Sequence, residues 1–177
     1  MGETEAMGRR LARFLRPGDV VALTGDLGSG KTTFTKGIAA GLGVAGSAYV
    51  NSPSFVLIKE YRAPALSKFG SSGRRKSGAN PDLSKLSSSG RRKDGASLYH
   101  FDLYRLDDLG EIEYIGLEDY LKSDGVLVIE WAEKLKDMLP DERLHICIDI
   151  VSKNRRRFNF TGHGKRYDTI SRRYLKS

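Results

Sequence analysis

Three features of the sequence predict an α/β protein in which helices sandwich a central mixed, largely parallel β-sheet. Short apolar strand candidates alternate with amphipathic helical stretches, a glycine-rich turn joins the first strand to the second helix, and two strand-like segments stand side by side late in the chain. At 177 residues the chain makes one domain, 1–177, with a sizeable core of its own and no second full domain.

The elements follow in order. From Thr4, a candidate N-cap, Met7, Leu11, Phe14 and Leu15 keep helical spacing until Pro17 and Gly18 end the segment. Asp19 to Thr24 reads as a short buried strand, and after the glycine-rich turn Phe34, Ile38 and Leu42 line one helical face closed by Gly43. Phe55 to Tyr61 and Leu98 to Tyr104 are strand candidates that flank a basic insertion, so the insertion reads as a long hairpin loop. Asp107 to Leu121 is acidic and mainly helical. Val126 to Ile129 is a buried strand ending at Glu130 and Trp131, and Leu144 to Ile150 and Arg157 to Thr161 are further strands.

The formal charge of +8 is unevenly placed. Residues 64–97 hold eight Lys/Arg and two Asp, and residues 152–177 hold nine Lys/Arg and one Asp, which leaves the rest of the chain acidic. Within the insertion, Leu66–Ala79 and Leu83–Ala96 match at 11 of 14 positions, a duplicated segment too short for a stacked repeat array. Its Ser, Gly, Lys and Arg content has little apolar surface to offset chain entropy, so disorder is expected there, and 152–177 reads as a basic C-terminal extension. The lone Cys147 excludes an intramolecular disulfide framework. No apolar run reaches a membrane span, and the first ten residues lack the apolar centre of a secretory signal; the expectation is a soluble, cytoplasmic protein without membrane association.

The glycine-rich turn carries the chemistry. Gly25-Asp26-Leu27-Gly28-Ser29-Gly30-Lys31-Thr32 has P-loop spacing, placed between a buried strand and an amphipathic helix. Backbone N–H groups and a helix N-terminus then converge on one anion, Lys31 offers a point charge to the β- and γ-phosphates, and Thr32 offers a hydroxyl to Mg²⁺. Thr33 is placed to reach the α-phosphate. Phosphoryl chemistry also needs carboxylates beside the metal. Glu130, at the end of a buried strand, and Asp102, on one strand face with Leu98, His100 and Tyr104, are the candidates; an ordinary ion-paired carboxylate is the competing reading of each. His100 reads as a local hydrogen-bonding residue, not a metal ligand. Pro53 restricts Ser52 and presents the Ser54 hydroxyl, as a γ-phosphate sensor or as a plain turn.

In combination, GDLGSGKTTF at Gly25–Phe34, SPSF at Ser52–Phe55, HFDLYRL at His100–Leu106, a Glu-rich stretch with Gly116, and VIEW at Val128–Trp131 resemble the TsaE (YjeE) family. The resemblance implies a P-loop NTPase-like sandwich and an ATPase, weak alone, that works with TsaB and TsaD to form the threonylcarbamoyl group on the adenosine beside the tRNA anticodon. ATP hydrolysis would reset that complex, with tRNA met indirectly or through the basic insertion or tail. Carried over, Gly28, Ser29, Gly30, Lys31, Thr32 and Thr33 bind the phosphates, Ser54 and Trp131 lie by the nucleotide, and Thr32 and Glu130 hold Mg²⁺. Asp102 takes the Walker-B-like role beside the metal, and Lys31, Asp102 and Glu130 form the catalytic group. Serine at 54 replaces the family's usual threonine, and the 64–97 insertion is no recognised family feature.

Two other classes compete. A small-molecule kinase shares the P-loop and would use the Arg-rich insertion as a lid, but no second Arg and carboxylate cluster marks an acceptor site. A nucleic-acid module would use the basic tail with Phe158, Phe160, Tyr167 and Tyr174 as stacking groups, although alternating aromatics equally suit a core-facing strand. No Asn-Lys-x-Asp motif supports guanine recognition.

Overall fold

The computed structural model describes residues 2–44, 50, 58–62, 96–106 and 116–177. The turn carrying Ser54, residues 55–57 of the expected second strand, 63–95 of the insertion and 107–115 of the acidic stretch lie outside the described residues.

Helix α1 (Glu3–Leu11) starts one residue before Thr4, with Gly2 at its cap, acidic Glu3 and Glu5 in the first turn and basic Arg9 and Arg10 in the last, as the helix dipole favours. It ends at Leu11, short of the periodic pattern, because the chain turns to bury Leu15 before Pro17 and Gly18. Strand β1 (Val20–Thr24) leads through the glycine loop into α2 (Lys31–Leu42), which Gly43 closes in the left-handed conformation, φ 75°. After β2 (Ile58–Tyr61) and β3 (Ser97–Asp102) come a short helix α3 (Leu117–Leu121) and β4 (Gly125–Glu130). A 3-10 segment (Ala132–Met138), β5 (Arg143–Ser152), β6 (Arg155–His163) and α4 (Lys165–Leu175) complete the chain.

The six strands form one sheet in the order β2-β3-β4-β1-β5-β6. The inner four are parallel, and the edges β2 and β6 pair antiparallel with β3 and β5, which is the mixed, largely parallel sheet the sequence predicts. Both faces of β1 are buried. Val21 and Leu23 face a core shared with α1, α2 and α4, while Val20 and Ala22 face a second core with Leu117 and Leu135. Helices α1 and α2 touch backbone to backbone: a Cβ added to Gly37 would lie 2.1 Å from the Glu5 carbonyl, and one at Gly8 2.2 Å from that of Phe34.

The basic residues 152–177 complete the fold. β6 runs along β5, and α4 returns over the sheet with Tyr167, Ile170 and Tyr174 buried on one side. Of the aromatics offered by the sequence as stacking groups, Tyr167 and Tyr174 are core residues and the partly buried Phe158 and Phe160 pack against the core, Phe158 on Phe34 at 5.4 Å and Phe160 on Tyr174 at 4.6 Å between ring centroids. At the insertion's far end, Ala96 is buried and Ser97 opens β3, so those two residues belong to the framework.

Candidate functional site

Because β1 is parallel to both β4 and β5, the C-terminal ends of the inner strands lie together, and the loop from Gly25 to Gly30 crosses above them. Its path requires glycine. Gly25, Gly28 and Gly30 have φ of 132°, 77° and 107°, and a Cβ on Gly25 would stand 2.3 Å from the Ile148 carbonyl. Gly30 caps α2, so the free N–H groups of the first turn, beginning at Lys31, open into a cleft of about 280 Å³.

One wall of that cleft is the loop with Lys31, Thr32 and Thr33; the other is Asp102, Tyr104, Glu130 and Trp131. The Lys31 ammonium donates to the carbonyls of Gly25 at 2.5 Å and Asp26 at 3.0 Å, and sits 3.7 Å from the centre of the Trp131 ring. Burial lowers its pKa, opposed by the negative charges of Glu130, Glu133, Asp102 and Asp26. Ser29 is fully buried in the loop, and its hydroxyl has no hydrogen-bond partner among the described residues. Trp131 takes φ 60°, a strained conformation for a bulky side chain. Its ring packs on that of Tyr104 at 5.0 Å between centroids, tilted by 41°.

Glu130 is 1% exposed and held by three donors. Thr32 Oγ1 donates to Oε2 at 2.8 Å, Thr35 Oγ1 donates to Oε1 at 2.9 Å, and His100 Nε2 lies 2.7 Å from Oε1. Parallel register puts Asp102 beside Glu130, and the Tyr104 N–H donates to Asp102 Oδ1 at 3.1 Å. Burial, and then the neighbouring Glu130 charge, raises the Asp102 pKa. Two buried carboxylates beside a hydroxyl make an all-oxygen donor set, and that crowding of negative charge fits a hard divalent cation such as Mg²⁺.

The sequence-predicted residues Gly28, Ser29, Gly30, Lys31, Thr32, Thr33, Asp102, Glu130 and Trp131 thus come together at one end of the sheet, while Ser54 lies outside the described residues. Two contributors escape sequence reasoning. Thr35, one helical turn after Lys31, holds Glu130 from beneath. Arg156 on β6 donates through Nε to the Ser29 carbonyl at 3.1 Å and through Nη2 to that of Gly28 at 3.2 Å. In a trans peptide the carbonyl and the next N–H point opposite ways, so the bond to Ser29 also fixes the direction of the Gly30 N–H. The run of three arginines at 155–157 was a signal, but only the β5–β6 register shows which one returns to the loop.

Fold and cradle define the P-loop NTPase-like class of α/β proteins. The family model of the threonylcarbamoyl adenosine biosynthesis protein TsaE matches residues 1–69 and 87–158, and the chain belongs to this family. The chain is 40% identical to the tRNA threonylcarbamoyladenosine biosynthesis protein TsaE of Bacillus subtilis, over 95% of this chain and 85% of that one. It is 38% identical to the protein of the same name from Streptomyces coelicolor, over 92% and 93%. The crystal structure of YdiB from Bacillus subtilis superposes with a TM-score of 0.66 at 33% identity, covering 98% of this chain and 88% of that one.

Proposed function

We propose that the protein is an ATPase of tRNA threonylcarbamoyladenosine biosynthesis, weak alone and stimulated by TsaB and TsaD, whose hydrolysis of ATP resets their complex between rounds of modification. The observation that carries the reading is the bond from Thr32 to Glu130 where the glycine loop runs into α2 at Lys31. Because the Thr32 hydroxyl donates its proton to Glu130, its lone pairs are left for a cation.

The phosphates of ATP occupy the cradle from Gly28 to Thr33, where loop N–H groups and the start of α2 supply fixed dipoles. Lys31 leaves the two loop carbonyls for the β- and γ-phosphate oxygens. Thr32, Glu130 and Asp102 would hold Mg²⁺, which when bound would supply positive charge to the phosphate oxygens. Glu130, fixed on Thr35 and His100, keeps Thr32 oriented and so fills the Walker-B-like place for which the family resemblance offers Asp102. Asp102, kept in place by the Tyr104 amide, orients the attacking water. Trp131 and Tyr104 form the aromatic wall beside the nucleotide.

The test is ATP turnover of the full chain with and without TsaB and TsaD. Stimulation by the pair, lost in Lys31→Ala together with Mg·ATP binding, is the expected result. A phosphorylated small-molecule product, or turnover indifferent to Lys31, overturns the proposal.

A further inference from the structure

A second cleft, of about 520 Å³, lies between the end of α1 and α4, with Arg13, Arg16, Arg166 and Arg173 around Phe14 and Ile170. It is remote from the cradle. Asp19, which anchors it, directly precedes β1, whereas Gly25 directly follows that strand, about 20 Å away along six extended steps.

The charges in this cleft are unbalanced. Arg166 is spoken for: its Nε and Nη2 grip both oxygens of Asp19 at 2.6 and 2.5 Å. Among the described residues, Arg13, Arg16 and Arg173 have no carboxylate within ion-pairing distance, and all three are exposed. Guanidinium groups that share one concavity repel each other, and a fold keeps them together at least cost when an anion comes between them. The surroundings extend the charge. α4 also carries Lys165 and Arg172, with Lys176 at its C-cap, against a single acid, Asp168.

We infer that this arginine cleft and the adjoining face of α4 dock the sugar-phosphate backbone of an RNA. The inference rests on the reading that the chain acts in tRNA modification, and it names where the RNA touches this chain. RNA is favoured over an acidic protein because successive phosphodiesters form a row of anions with no intervening cation, which suits a face nearly free of carboxylates. Arginine forks match the phosphate oxygens two at a time. Tyr167 and Tyr174 are buried and Phe158 and Phe160 pack, partly buried, against the core, so these rings are engaged within the fold and the contact is electrostatic and indifferent to base sequence.

The experiment is a salt titration of binding between the full chain and an unmodified tRNA transcript, without ATP, for wild type and the Arg13→Gln/Arg173→Gln double variant. Both side chains are exposed, so folding is retained; circular dichroism and nucleotide affinity at the Lys31 cleft check that. The expected result is wild-type binding that weakens steeply with salt, with the variant at least about tenfold weaker at about 50 mM salt and its log–log slope shallower by about two. A wild type that does not bind at about 50 mM salt overturns the inference, as does a variant that binds like wild type. Polyglutamate competing as well as RNA at equal charge also overturns it, in favour of an acidic protein. Since ATP is absent, failure of the ATPase reading leaves this measurement interpretable.

Discussion

Glu130 shows how burial and donors assign a role to one carboxylate among 22 acidic residues. With one oxygen on Thr32 and the other on Thr35 and His100, it is a fixed anchor. Glu130→Gln keeps the volume but loses the charge that accepts three donors, and Asp102→Asn removes the group placed to orient water. Each is expected to lower kcat about a hundredfold while Mg·ATP affinity changes less, as separate turnover and binding measurements would show. His145 gives a test by pH. Burial, followed by the charges of Arg143 and His163, holds its pKa below 6.5, and its Nε2 lies 2.9 Å from Thr24 Oγ1. The folded state therefore prefers neutral His145, so its contribution is complete above pH 6.5 and is lost as pH falls below that value towards the folded pKa. Denaturant melts from pH 7.5 down to 5 should show wild type losing stability faster than His145→Gln; parallel curves would dismiss the assignment.

Between elements, the tightest constraint is the seam of α1 on α2. Gly8, Gly37 and Gly41 let the two backbones meet, and a Cβ at position 41 would stand 2.5 Å from that of Ala12. Gly37→Ala should cost about 2 kcal/mol despite alanine's better helix propensity, because the opposing atom is a carbonyl that cannot step aside. Thermal unfolding would read this as a fall of about 5 °C. Between β6 and the glycine loop, Arg156 is a positioning residue. Arg156→Ala is expected to weaken nucleotide binding several-fold with little change in melting temperature, and Arg156→Lys to restore it only in part, because an ammonium lacks the planar fork that reaches two carbonyls. Helix α4 was legible in principle: Tyr167, Ile170 and Tyr174 step by three and four residues after Gly164. Its nine-to-one excess of basic over acidic residues, counted with β6, made the segment read as a tail when the apolar stripe was the decisive signal.

For the molecule as a whole, the antiparallel register of β2 on β3 sets Tyr61 opposite Leu98, so a short hairpin loop that keeps the buried Ala96 can replace residues 64–95. That replacement is expected to leave melting temperature and Mg·ATP binding unchanged, and loss of nucleotide binding in a folded variant would show that the insertion contributes to the cradle. The sequence alone determined the class of sheet, the glycine loop with Lys31 and Thr32, and the strand-end carboxylates Asp102 and Glu130, because hydrophobic period and motif spacing are local properties of the chain. Tertiary structure decided that Thr35 and His100 hold Glu130, that Arg156 sets the loop's peptides, and that arginines from both ends of the chain share one cleft. These contacts join residues brought together by strand order and helix packing, and a side chain's partner across a sheet has no signature in its own neighbourhood of sequence.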